Sequence, residues 1–90
     1  MPITGELDLH PFAPADVRSV VQEYLRACRE RGIHQLRLVH GRGQGVQRTS
    51  IRQLLMEMPE VLDCRDAPPA SGGWGATLVW LRPLADLNQA

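Results

Sequence analysis

From Val17 to Cys28 the chain places Val17, Val20, Val21, Tyr24, Leu25 and Cys28 on one helical stripe, at intervals of three and four residues. A short alternating run flanks it on each side. Before it, Leu7 and Leu9 alternate with Glu6, Asp8 and His10; after it, Leu36 and Leu38 alternate with Arg37 and Val39. A strand, a one-striped helix and a second strand bury their apolar sides together when the strands lie parallel and the helix crosses one face in the right-handed sense. That unit is what the rest of the chain must build on.

Punctuation residues support it. Pro14 suits a first helical turn, Asp16 sits near the positive end, Arg26, Arg29 and Arg31 load the last turns, and Gly32 can close the helix. After "VHGRGQG" (39–45), Thr49 or Ser50 is expected to cap a second helix carrying Ile51, Leu54, Leu55 and Met58, which Pro59 ends. "VLDCRD" (61–66) reads as a third strand, "APPASGGWG" (67–75) as a loop and "ATLVWL" (76–81) as a fourth strand stopped by Pro83. The order β-α-β-α-β-β implies an α/β fold, an α+β two-layer sandwich with a four-stranded mixed sheet whose last pair returns antiparallel. Ninety residues suit one domain, expected over 6–82 between a lead of 1–5 and a tail of 83–90.

Several function classes are excluded or unsupported. No apolar run approaches the roughly 18 residues of a membrane span, so no membrane partner is expected. The acidic N-terminus lacks the basic-then-apolar start of a secretory signal. Cys28 and Cys64 lie far apart in apolar patterns and read as buried, reduced thiols of a cytoplasmic protein. Three His without clustered Cys do not make a structural zinc site, and no GxSxG marks a serine nucleophile. A monomer is expected.

Net charge is zero, yet the charges are segregated. Residues 1–17 hold Glu6, Asp8 and Asp16 and no base; residues 18–52 hold eight Arg against Glu23 and Glu30; residues 53–90 hold two Arg against five acids. Every one of the ten bases is Arg, a planar donor fork suited to phosphate. The central block is a candidate basic face.

Three stretches can carry chemistry. In "HGRGQG", Gly41, Gly43 and Gly45 can turn successive amides toward an anion, next to a helix start and to Arg42, Arg48 and Arg52. The spacing is neither GxGxxG nor a Walker loop, and a flexible strand-to-helix connection is the plain alternative. Asp8 and His10, two apart on a strand, share one face, so the carboxylate can orient the imidazole, act as a base or share a divalent metal. His40 ends a strand that should run parallel to the first, which brings it to the same sheet edge. His34, at the other end of that strand, reads as a surface residue. In "SGGWGAT", Gly72, Gly73 and Gly75 surround Trp74, which either stacks on a base or packs on the core below a turn.

"LDLH" (7–10), "VHGRGQG" (39–45) and "GGWGATLVWL" (72–81), in this order, resemble the Smr (small MutS-related) domain across nearly the whole chain. The resemblance implies a fold similar to the C-terminal domain of bacterial translation initiation factor 3. It also implies binding of DNA or RNA, with nicking or cutting in some members and a place in DNA repair. On that pattern Asp8 and His10 are tied to cleavage, His40, Gly41 and Gly43 to a nucleic-acid-contacting loop, and Gly72, Gly73 and Gly75 to the closing motif. A departure stands at Pro11, where the family commonly has glycine; it removes an amide and stiffens the loop. Three functions follow: a nicking endonuclease in which Asp8 and His10 activate water, directly or through Mg²⁺ or Mn²⁺, with His40 as a third, assisting catalytic residue; a nucleic-acid or ribosome-binding module without cleavage; or a protein-interaction domain.

Overall fold

The computed structural model describes residues 3–41 and 46–84, without the side chains of Val46, Gln47 and Trp74. In chain order it contains β1 (Glu6–Asp8), α1 (Pro14–Glu30), β2 (Gln35–Val39), α2 (Val46–Glu57), β3 (Val61–Asp66) and β4 (Ala76–Leu81), with two 3₁₀ turns at Pro69–Ser71 and Gly73–Gly75. The sheet order is β1-β2-β4-β3. β1 and β2 are parallel, as the crossover demands, and β4 runs antiparallel to both β2 and β3. β3 therefore points the same way as β2, and β4 fills the gap that the second crossover leaves.

Alternation sorts the sheet into two faces. Leu7, Leu36, Leu38, Val79 and Leu81 point inward and form one core with Val21, Tyr24 and Leu25 of α1 and Ile51, Leu54 and Leu55 of α2. The helices form the second layer. On the opposite face lie Glu6, Arg37, Leu78, Trp80 and Arg65, with the Arg65 guanidinium 5.8 Å from the Trp80 ring centre. Tyr24 ties α1 to the first strand: its hydroxyl donates to the Glu6 carbonyl at 2.9 Å and accepts from the Gly5 amide at 3.1 Å. At the far end of α1, Gly32 takes φ +73° and donates to the Arg29 carbonyl, and buried Arg29 donates to the Arg82 carbonyl at 3.0 Å.

Three sequence expectations need correction. The second helix starts at Val46, so Thr49 and Ser50 lie inside it rather than capping it. The added turn holds Arg48, which Asp66 of β3 anchors. The first strand stops at Asp8 because the chain turns at His10 and Pro11, where the Phe12 amide donates to the Leu9 carbonyl at 3.1 Å. Both cysteines are free thiols, but only Cys28 is fully buried; Cys64 on the edge strand β3 is half-buried. His34 is exposed.

Candidate nucleic-acid site

Parallel pairing sets Asp8 opposite Val39, and antiparallel pairing sets Val39 opposite Ala76 and Asp66 opposite Thr77. The ends of β1, β2 and β3 and the start of β4 thus meet at one edge of the sheet. All three sequence motifs arrive there.

Asp8 and His10 form an exposed pair. Asp8 Oδ1 accepts from His10 Nδ1 at 2.6 Å and from the His10 backbone amide at 2.9 Å. These two bonds hold the Asp8 carboxyl below its ordinary value of 3.8, the backbone bond contributing most. A carboxylate can only accept, so Nδ1 carries the proton and Nε2 keeps its lone pair. The local sequence explains the geometry: alternation turns both side chains to the polar side, and the His10–Pro11 turn folds the imidazole back on Asp8.

Gly41 lies directly under that ring. It takes φ +84°, and a Cβ built on it would stand 2.6 Å from His10 Nε2. Both the conformation and the space require glycine. Its amide donates to the Gly75 carbonyl at 2.8 Å, and the His40 amide donates to the same oxygen at 3.1 Å. One carbonyl therefore joins the second motif to the third. It also engages the Gly41 amide internally.

His40 lies under this layer, 4% exposed. Its Nδ1 donates to the Gly41 carbonyl at 3.0 Å, which leaves Nε2 to accept from the Thr77 hydroxyl at 2.9 Å. Burial pushes the His40 pKa below 6.5 and keeps the ring neutral. With both nitrogens bonded, His40 braces β2 against β4 and positions Gly41; it does not face the surface with His10. Thr77 escaped sequence reasoning, although a threonine in phase with apolar Val79 and Leu81 signals a buried polar partner.

The closing loop is braced from the open face of the sheet. Arg37 donates to the Ser71 carbonyl and to Glu6, each at 2.6 Å. Gly72 and Gly73 take φ +112° and +56°, and a Cβ on Gly72 would stand 3.2 Å from that of Ala76. The Trp74 side chain lies outside the described residues, as do Arg42, Gly43 and Gly45.

Among the described residues four arginines of the basic block, Arg18, Arg37, Arg48 and Arg52, are paired with acids. Asp66 binds Arg48 through both oxygens, at 3.0 and 2.8 Å, and binds Arg52 at 2.6 Å. These contacts, led by Arg48, lower the Asp66 pKa. Arg18 pairs with Glu57 at 2.9 Å, and Arg37 pairs with Glu6. Folding brings acids from both flanks of the sequence onto the arginine-rich centre. No sequence signal marked Asp66 for this.

Among the described residues no three His, Cys, Asp or Glu come together to hold a metal ion. Asp8 supplies the pair's one carboxylate, and its Oδ1 already accepts two hydrogen bonds. These donors do not make a cation site by themselves; Mg²⁺ or Mn²⁺ there would rest chiefly on phosphate oxygens and water. No helix among the described residues is long and apolar enough to cross a membrane.

The family model for the Smr domain matches residues 7–82. The chain belongs to the Smr domain family. It is 41% identical over 78 residues to Endonuclease MutS2 of Thermus thermophilus, covering 87% of this chain and 10% of that protein. To Endonuclease MutS2 of Shouchella clausii it is 31% identical over 80 residues, covering 89% of this chain and again 10% of the relative. The chain thus spans about a tenth of these relatives. The crystal structure of the Smr domain of Thermus thermophilus MutS2 superposes with a TM-score of 0.84 at 40% identity, covering 89% of this chain and 100% of that one. YdaL, a stand-alone small MutS-related protein from Escherichia coli, superposes with a TM-score of 0.82 at 25% identity, covering 90% of this chain and 66% of that one.

Proposed function

We propose that this Smr domain binds a DNA or RNA strand at the sheet edge and cuts it, with the Asp8–His10 pair as the acid–base group. The observation that carries this reading is the placement of His10: Nδ1 fixed on Asp8, in an exposed side chain whose Nε2 lies over a glycine with no side chain. Nε2 takes a proton from the nucleophile, a water or a ribose 2′-hydroxyl, whose oxygen forms a bond to phosphorus. The P–O bond to the leaving oxygen breaks, and that oxygen collects a proton from the imidazolium or from water. Asp8 holds the tautomer and stabilises the charge that forms on the ring. Arg42, Gly43 and Gly45 contact the phosphate, Arg48 and Arg52 exchange Asp66 for it as the strand arrives, and Trp74 stacks on a base. The MutS2 relatives are named endonucleases, which supports cleavage.

The test is nicking of supercoiled plasmid and cutting of single-stranded RNA, with and without chelator. Asp8→Asn and His10→Ala are expected to lower cleavage by about 100-fold or more; variants that cut like wild type refute the role. A second reading, holding without cutting, draws on the burial of His40: with both nitrogens bonded, that ring leaves His10 without a histidine partner as acid. Strand binding with no cleavage under any metal condition would select it.

A further inference from the structure

A cavity of about 550 Å³ opens beside His10, between the first turn of α1 and the middle of α2. Its floor is apolar: Leu9, Val17, Ile51 and Leu54 are buried, and Phe12 stands half-buried at its side. Its rim is polar, formed by His10, Arg18 and Ser50, all exposed. The volume is within the range of about 300–1,000 Å³ typical of small-ligand pockets, and an apolar floor with a few polar groups is their usual lining.

We infer that this cavity takes one nucleobase of the strand whose phosphate lies at His10, and so sets the preference for an unpaired nucleotide beside the scissile bond. The inference rests on the nucleic-acid reading above and extends it to substrate class. His10 belongs both to the acid–base pair and to the cavity wall, so a phosphodiester placed at Nε2 has its neighbouring base at the mouth. A base has apolar faces for Phe12 and the aliphatic floor, and a hydrogen-bonding edge for the Ser50 hydroxyl and the Arg18 guanidinium. A base still paired and stacked in a duplex cannot enter, whereas a single-stranded or bulged one can be splayed out. Arg18 pairs with Glu57 of α2 at 2.9 Å, which places its guanidinium on the α2 side of the rim.

The experiment measures binding, so it stands apart from whether the strand is cut. Short single-stranded oligonucleotides carrying one abasic position, moved stepwise along the strand, are titrated against the full chain by fluorescence anisotropy. The methyl resonances of Leu9, Val17, Ile51 and Leu54 are followed in parallel. The proposal expects one abasic position to weaken binding by about 10-fold, with the four residues' methyl shifts lost for that strand only. Ser50→Trp, on an exposed helical site, is expected to weaken the intact strand and leave the abasic one unchanged. Val17→Ala enlarges the floor and should alter which base is preferred. Tight binding with a flat abasic scan and unmoved methyls overturns the proposal while leaving nucleic-acid binding intact. Failure to bind any strand overturns both. Methyl shifts that follow protein concentration without oligonucleotide overturn it in favour of a second copy in the cavity.

Discussion

Gly41→Ala tests the geometry of the site with the least chemical change. Alanine at φ +84° costs about 1–2 kcal/mol of backbone strain. Its Cβ would stand 2.6 Å from His10 Nε2, where ordinary contacts begin at 3.4 Å, so the ring must retreat by about 0.8 Å or more. The His10 side chain is 57% exposed, so the imidazole can swing outward and the fold survives. That swing pulls Nδ1 from Asp8 and moves Nε2 off the strand. Displacement of a reacting group by about 1 Å can cost roughly 100-fold, so cleavage should fall 10- to 100-fold in kcat/KM. Gly32→Ala is the control, because φ there is +73° and nothing lies within 4 Å of the new Cβ. It should show similar strain in urea unfolding and wild-type cleavage. Equal loss of cleavage in both variants, or none in Gly41→Ala, refutes the reasoning.

Thr77→Val removes the hydroxyl that donates to His40 Nε2 inside the core and should lower stability by about 1–3 kcal/mol, read from urea unfolding at neutral pH. Because burial holds the His40 pKa below 6.5, the unfolded chain takes up that proton first as pH falls. Stability should therefore be level above about pH 6.5 and decline as pH drops through the lowered folded value; His40→Gln should remove the decline, and an unchanged slope would assign it to another group. The Asp8 and Asp66 carboxyls, held below 3.8, lose their contributions only at more acid pH. Asp66→Asn should change stability by less than about 1 kcal/mol, since its partners are surface pairs, while raising nucleic-acid affinity and steepening its salt dependence. Unchanged affinity would remove Arg48 and Arg52 from the contact surface.

Much of this fold was legible because its signals are periodic and local. The stripe from Val17 to Cys28 gave α1, and Leu7, Leu9, Leu36 and Leu38 gave a parallel pair with one polar side, which already set Asp8 beside His10. β3 and β4 matched their runs because proline and glycine bound both segments. The start of α2 was not legible, since Thr49 and Ser50 mimic caps while the helix is held from outside, by Asp66. Nor did the sequence say that β4 inserts between β2 and β3, because adjacency in the chain favours pairing with β3 alone. His40 marks the clearest limit. Position alone set it at the sheet edge with His10, but depth within that edge depends on Thr77 of β4, 37 residues away, and on Gly75 in the turn just before that strand.

The central claim is that Asp8 and His10 act as one unit on a bound strand, and a double-mutant cycle tests it most directly. Cleavage of one labelled oligonucleotide is measured for wild type, Asp8→Asn, His10→Ala and the double variant. If Asp8 works only through His10, the double variant cuts no more slowly than His10→Ala alone. If the two losses multiply, or if His10→Ala cuts as fast as wild type, the pair is not the acid–base group.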